Sequence, residues 1–310
     1  MSARALPATG AAAPAWAPCS DRSLERADPL AGTGGYGERW LLVEIDGGWG
    51  THAFFESRLD PALGRALVRR VESDGIRPVA IRRFGLRADE RRAQARWRWA
   101  LADARPGLES IRWGVVDDPA KLLDVALDGS EGEASDDVVA LVCTHARHDQ
   151  CCAVRGRPVA QALSSAFPEA TWESSHLGGD RFAATMILLP HGLYYGRVPA
   201  TGAASIVQDY SDGRIDEEFF RGRSSLTNVV QAAQSFARRE SGDMRIDAFA
   251  PLDEQRIGDD VWRVDLADGD AIARVVMHDV LSAPLLSTCA ATRPAPVRTF
   301  ELDSISRVAL

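Results

Sequence analysis

The sequence predicts an α/β protein of two similar units in tandem followed by a small β-rich C-terminal unit, and three observations carry that reading. Apolar runs and helix-start signals follow the order β-α-β-β-β-α up to residue 130, the same order restarts after an acidic stretch, and only short strands follow Met244. In the first unit, Trp40 to Ile45 is a buried strand, and Asp60-Pro61 is an N-cap with proline at the first helical position. Leu63, Leu67 and Val71 then stripe one helical face. After the turn at Asp74-Gly75 comes a strand from Arg77 to Ile81, and Trp97 to Leu101 and Ile111 to Val116 flank Arg105-Pro106-Gly107 as a hairpin. Asp118-Pro119 repeats the cap-and-proline signal and starts a short helix carrying Leu122, Leu123 and Ala126.

Asp128 to Asp137 reads as a linker, after which Val138 to Val142 opens the second unit as a strand. Pro158 to Phe167 is predicted as a helix, with Val159, Ala162, Leu163, Ala166 and Phe167 on one face. Thr171 to Glu173 is the next strand, and Ala183 to Leu189 and Leu193 to Val198 flank Pro190-His191-Gly192 as a second hairpin. Gly107-Leu108 and Gly192-Leu193 fall at equivalent turns. A divergent duplication accounts for this order; two unrelated α/β units with the same alternation are the other reading. Ser225 to Arg239 is an amphipathic helix expected to pack on the second unit. The strands that close the chain are Arg245 to Phe249, Val261 to Leu266, Ala271 to His278 and Val297 to Leu302, with Asp268-Gly269 as a hairpin turn. The expected division is thus a tail over 1–36, units over 37–130 and 131–240, and the β-rich unit over 241–310.

Composition excludes several classes of function. Asp and Glu number 44 against 36 Lys and Arg, a formal charge of −8, so the chain as a whole repels phosphate backbones and anionic lipid. No nucleic-acid partner is expected. No apolar run approaches the length of a membrane span. The Ala- and Pro-rich start lacks the apolar core of a signal peptide, so the expected compartment is the cytoplasm. Five cysteines, Cys19, Cys143, Cys151, Cys152 and Cys289, are too few and too clustered for a disulfide framework, and in a reducing compartment they point to metal or redox work.

Three of them lie in Cys143-Thr-His-Ala-Arg-His-Asp-Gln-Cys151-Cys152, between a strand end and a helix start, where α/β folds place functional loops. Unpaired amides and the helix dipole stabilise thiolates there, and Cys152 is the best placed. The cysteine spacing of a zinc finger or thioredoxin motif is absent. The loop Glu173-Ser-Ser-His176-Leu-Gly-Gly-Asp180 follows, where Gly178 and Gly179 permit unusual backbone angles and His176 and Asp180 bracket them as candidate metal ligands. By burial tendency Cys19 and Cys289 are small buried hydrophobes, and His52, His191 and His278 are surface or packing residues. The arginine-rich run Arg82 to Arg98, with Trp97 and Trp99, is expected to be a solvated face; stacking on bases or docking an acidic redox partner is the sharper reading. No carboxylate pair marks a glycosidase, and no Gly-rich loop marks a nucleotide site.

Cys143 to Ala153 (CTHARHDQCCA), Gly156-Arg157-Pro158, His176 to Ala183 (HLGGDRFA) and Leu189 to Val198 (LPHGLYYGRV) together resemble the sucrase/ferredoxin-like family. The similarity extends from Cys19 through Trp49 and on to Arg221-Gly222-Arg223. It implies thioredoxin-like units: a first one, without cysteines, that is structural, and a second one of the thioredoxin-like ferredoxin type. In family members that bind a 2Fe-2S cluster, the resemblance implies two cysteines nine positions apart and two histidines four apart. Cys143 and Cys152 match the first pair and His176 the first histidine, while the second histidine's place is held by Asp180. A carboxylate is a harder, anionic donor, so the fourth ligand is the departure, with Cys151, His145 or His148 as substitutes. If Asp180 binds, its charge favours the oxidised cluster and lowers the potential relative to a two-histidine site. A histidine ligand near the surface also makes the potential vary with pH. The implied function is that of an electron carrier rather than a stand-alone enzyme, monomeric, exchanging single electrons with a redox partner protein. The alternatives are zinc at the same residues, a binding or scaffold protein with a vestigial site, and a thiol oxidoreductase using Cys151 or Cys152.

Overall fold

Alternation along the first strand decides the architecture. In β1 (Arg39–Glu44) Trp40 and Leu42 join one buried cluster while Leu41 and Val43 join another, so the strand is covered on both faces. The computed structural model describes residues 18–85 and 96–309. Among them α1 (Cys19–Glu25) precedes β1, and Asp60 caps α2 (Pro61–Ser73) by accepting from the amides of Ala62 and Leu63, with proline at the first helical position as expected. β2 (Ile76–Arg82), β3 (Trp97–Asp103) and β4 (Ser110–Val116) follow, then a single 3₁₀ turn over Pro119–Leu123. The second half runs β5 (Glu133–Ser135), β6 (Val139–Cys143), α3 (Gln150–Ala166), β7 (Thr171–Ser174), β8 (Met186–Leu189), β9 (Leu193–Tyr195), α4 (Ala203–Ser211) and β10 (Phe220–Arg223).

These ten strands form one mixed sheet in the order β10-β9-β8-β6-β7-β2-β1-β3-β4-β5. Each half repeats one arrangement. β1 lies parallel to β2 and antiparallel to β3, which pairs with β4, while β6 lies parallel to β7 and antiparallel to β8, which pairs with β9. The halves do not stand apart as tandem sheets, because β2 and β7 pair antiparallel at Ile81 with Ser174 and Arg82 with Glu173. A single apolar cluster accordingly draws on both: Trp40, Val79 and Ile81 from the first half, Leu141, Trp172 and Tyr194 from the second. The helices α2 and α3 cover the alternate residues of their own halves.

At this seam the Arg82 guanidinium donates to the Glu173 carboxylate at 2.8 Å, with both side chains nearly buried. Removing the charge on one side leaves the other desolvated without compensation. Glu173→Gln is expected to lower the free energy of unfolding by about 2–3 kcal/mol, measured by urea denaturation. Of the described arginines in the arginine-rich run, Arg96 is exposed as a solvated face would be, whereas Arg82, Arg83 and Arg98 are half-buried. Arg82 lies 4.0 Å over the Trp49 ring, Arg83 3.7 Å over Trp172 and Arg98 4.2 Å over Trp113. Their cation–π faces are used inside the fold; residues 86–95 of the run, like residues 1–17 of the tail, lie outside those described.

The chain ends in α5 (Asn228–Ser241) and a second sheet, the antiparallel meander β11 (Pro251–Arg256), β12 (Val261–Asp268), β13 (Ala271–Leu281) and β14 (Arg298–Ala309). Val229, Val230, Ala233 and Ala237 of α5 pack with Val264, Leu266, Val275 and Met277, so the helix serves this sheet as its lid while also touching β10. No helix among the described residues is long and apolar enough to cross a membrane.

Four local expectations are corrected. Arg245 to Phe249 is not a strand and makes one isolated bridge, Arg214 to Arg245, because Asp243 holds the Arg245 amide and guanidinium in a local turn. The helix at Asp118-Pro119 stops after one 3₁₀ turn. The acidic linker contributes β5, which pairs with β4 at the sheet edge. Helix α3 starts eight residues before Pro158: Asp149 supplies the cap, and the proline sits in mid-helix, where its missing N–H deprives the carbonyl of the exposed residue Val154 of its helical partner.

Candidate functional site

Strand β6 ends at Cys143, and the chain then turns through Thr144 to His148 before α3 begins, which sets two cysteines in the first turn of a long helix. The Asp149 side chain accepts from the Cys151 amide at 2.8 Å and so fixes that turn. Adjacent helical residues point about 100° apart, and Cys151 and Cys152 diverge accordingly. Cys152 faces Cys143, whereas Cys151 faces Cys19 and Cys289. Helix and strand meet closely at Gly156, where a Cβ would lie 2.1 Å from the Cys143 carbonyl oxygen. Only glycine permits that approach, and it brings Cys152, one helical turn earlier, over the strand end.

The second loop is held from three sides. Gly179 has φ +80°, and a Cβ there would lie 2.3 Å from the Arg221 guanidinium. Arg221, buried in β10, donates to the carbonyls of Gly178 at 3.1 Å and Thr33 at 2.5 Å. Arg77 of β2 donates to the Leu177 carbonyl at 2.7 Å, and the Tyr194 hydroxyl donates to the same carbonyl at 2.8 Å. The cysteine-free half thereby helps to shape the loop that carries His176 and Asp180.

Cys143, Cys152 and His176 present donor atoms within 4.8 Å of one another, and His148, His176 and Asp180 do the same. Asp180 joins the two groups: its Oδ1 accepts from the Cys152 thiol at 3.2 Å and lies 3.1 Å from His176 Nδ1. His148 stacks on His176 with ring centroids 3.7 Å apart, and its Nε2 stands 4.0 Å from Asp180 Oδ2. Both thiols and the carboxylate are buried, while the two imidazoles are about a third exposed and form the solvent side of the site.

The charged groups of this cluster shift one another. The Cys152 hydrogen bond, opposed by burial and reinforced by His176, holds the Cys143 thiol well below its ordinary range. Cys152 is pushed up in return, by Cys143 first and then by burial and Asp180. Burial disfavours the charged form of His176, but Asp180 and Cys143 override it and push the imidazole up to about 9. Burial likewise works against the Asp180 carboxylate, yet His176 and Cys152 keep it below the usual carboxylate range. His148 is lowered by burial and by the neighbouring His176.

Of the substitute ligands, His148 alone stands at the site. Cys151 points into the other cysteine group. His145 Nε2 pairs with the Gly50 carbonyl at 2.9 Å, and burial lowers the imidazole's pKa. His191 is a packing residue, its Nδ1 2.6 Å from the Tyr210 hydroxyl, and His52 and His278 are exposed. Sequence reasoning missed the convergence of Cys19 and Cys289 with Cys151 and Asp149, since residues 270 positions apart leave no local spacing to read.

The donor set suits an iron–sulfur cluster or another thiophilic metal, because two buried thiols, a buried carboxylate and a partly exposed imidazole converge on one place. The hydroxyls of Thr144, next to Cys143, and Ser174, in register with it, are buried without a hydrogen-bond partner among the described residues. Hydrogen-bond acceptors such as metal-bound sulfur are what such hydroxyls lack.

The protein named Altered inheritance of mitochondria protein 32, from Candida glabrata, is 28% identical over 109 residues, which cover 30% of this chain and 35% of that protein. The chain thus spans about a third of the length of the curated relative it matches. Two solved structures, both cysteine-to-serine variants of the thioredoxin-like 2Fe-2S ferredoxin from Aquifex aeolicus, are each 20% identical and match 28% of this chain and all of their own, with TM-scores of 0.25. The family model for sucrase/ferredoxin-like proteins matches residues 32–222, well over half of the 310 residues, and the chain belongs to that family.

Proposed function

We propose that this member of the sucrase/ferredoxin-like family is an electron carrier whose 2Fe-2S cluster is held by Cys143, Cys152, His176 and Asp180. The observation that carries this reading is the convergence of Cys143, Cys152 and His176, from a strand end, a helix start and a separate loop, to within 4.8 Å, with Asp180 in contact with two of them. When bound, the cluster supplies one-electron chemistry. The protein's part is to present the donors and control their surroundings. Cys143 and Cys152 lie at the end of β6 and the start of α3, where the helix amides and dipole favour thiolate. The Arg77, Tyr194 and Arg221 clamp fixes the loop so that His176 and Asp180 face the sulfurs. The partly exposed His148 and His176 offer the face on which a redox partner protein would dock, since electron transfer needs a short path to the surface.

A thiol oxidoreductase would need a nucleophilic sulfur that a substrate disulfide can reach, and Cys151 and Cys152 are each 1% exposed. Their burial favours ligation over exchange. The repeated strand order also supports two thioredoxin-like halves derived by duplication, with the cysteine-free half as structural support.

The test is the visible absorption, iron and acid-labile sulfide of the full chain purified without oxygen. The expected result is a coloured protein with two irons and two sulfides per chain, bleached by dithionite, and loss of both in Cys143→Ser and Cys152→Ser. A colourless chain that cannot be reconstituted and yet folds would leave the scaffold reading.

A further inference from the structure

We propose that Cys19, Cys151, Cys289 and Asp149 form a second metal site, a structural zinc site separate from the cluster. Cys19 opens α1, Asp149 and Cys151 stand at the start of α3, and Cys289 comes from the long connection between β13 and β14. The three sulfurs form a closed triangle: Cys19 to Cys151 3.6 Å, Cys151 to Cys289 3.1 Å and Cys289 to Cys19 3.6 Å. The Asp149 carboxylate caps it, with Oδ2 3.8 Å from the Cys19 sulfur. A tetrahedral zinc with Zn–S near 2.3 Å requires S···S edges of about 3.8 Å and S···O edges of about 3.6 Å. Both edges from the Cys19 sulfur to the other sulfurs and its distance to Asp149 Oδ2 sit within about 0.2 Å of a zinc tetrahedron, and the Cys151 to Cys289 edge would have to open by about 0.7 Å.

A disulfide would need only two of these thiols and would leave the third buried beside a carboxylate. Three thiols and a carboxylate converging on one point make a four-donor set, and they are buried apart from a partly exposed Cys289. The Asp149 carboxylate is further oriented by the amides of Cys151 and Cys289, at 2.8 and 2.7 Å, as ligating carboxylates require. Binding Zn²⁺ would release to solvent the protons still held by the thiols and leave a net negative centre. Cys19 and Cys289 lie outside the residues that match the family model, whereas Asp149 and Cys151 lie inside them. Its occupancy would tie the N-terminal segment and the C-terminal unit to the helix that presents Cys152.

The experiment measures zinc in the full chain by elemental analysis and native mass spectrometry, then replaces it by cobalt. One zinc per chain is expected, retained in the Cys143→Ser/Cys152→Ser double variant, which removes the cluster ligands, and lost or weakened in Cys289→Ser. Failure of the cluster reading would leave this zinc in place. Cobalt should show tetrahedral bands with thiolate charge transfer that falls by about a third in Cys289→Ser, as one of three thiolates is removed. If that variant does not fold, the cobalt spectrum of the double variant decides, because its only thiolates are those of this site. A folded chain that binds neither metal, zinc that disappears with Cys143 and Cys152, or a metal-free Cys151 to Cys289 disulfide in non-reducing peptide maps would each overturn the proposal.

Discussion

Asp180→His is expected to raise the midpoint potential of the cluster-loaded protein by roughly 100 mV, a fraction of the several-hundred-millivolt gap between all-cysteine and two-histidine clusters. The sign follows from charge. Asp180 is 4% exposed and 3.2 Å from the Cys152 sulfur, so its negative charge acts on the site with little screening by water. Each added electron makes the site more negative, and an anionic ligand opposes that addition more than a neutral imidazole does. Replacing the carboxylate therefore stabilises the reduced form. Asp180→Asn separates the two effects: it removes the charge and keeps the shape, and it should raise the potential while weakening iron retention, whereas Asp180→His should raise it with iron retained. Potentiometry followed by absorption and electron paramagnetic resonance reads both. An unchanged potential in Asp180→His would remove the carboxylate from the ligand set and point to His148, which stacks on His176 and is the other donor within reach.

Much of this geometry was legible in the sequence because it is written in short-range signals. The continuous apolar run at Trp40 to Val43, the Asp60-Pro61 cap and the paired hairpins at Arg105-Pro106-Gly107 and Pro190-His191-Gly192 are local facts that the structure keeps. The spacing of Cys143 and Cys152 and the glycines before Asp180 are local as well. What escaped depends on pairing between distant segments. The antiparallel contact of Arg82 with Glu173, which fuses the two halves into one sheet, leaves no trace in either strand taken alone. The start of α3 was misplaced because Pro158 carries a strong start signal, while the cap that wins, Asp149, stands in a loop whose cysteines and histidines look like chemistry rather than a helix. Cys19 and Cys289 read as isolated hydrophobes for the same reason: burial tendency is a property of one residue, and a ligand set is a property of four.

Gly156→Ala is expected to lower the free energy of unfolding by about 2 kcal/mol and to reduce cluster retention, measured as the shift in the urea midpoint and as iron per chain. Two effects of opposite sign compete at this position. In an exposed helix interior, alanine is worth up to about 1 kcal/mol more than glycine, which alone would make the variant more stable. Here the added Cβ would meet the Cys143 carbonyl oxygen at 2.1 Å and its carbon at 3.1 Å, both backbone atoms that cannot rotate away. The strand is fixed, since the Cys143 amide donates to the Thr185 carbonyl at 3.0 Å. The helix is fixed too, with Val159, Ala160 and Leu163 packed on Ala140 and Val142. Something must move by about an ångström, and overpacking of that kind costs about 1–3 kcal/mol, enough to outweigh the propensity gain. Cys152 lies one helical turn before Gly156, so the displacement also opens the distance between the two sulfurs that the cluster must bridge. A more stable Gly156→Ala variant with iron undiminished would mean that α3 can ride higher on the sheet than this contact allows, and that the convergence of Cys143 and Cys152 is set by the bound cluster rather than by the fold.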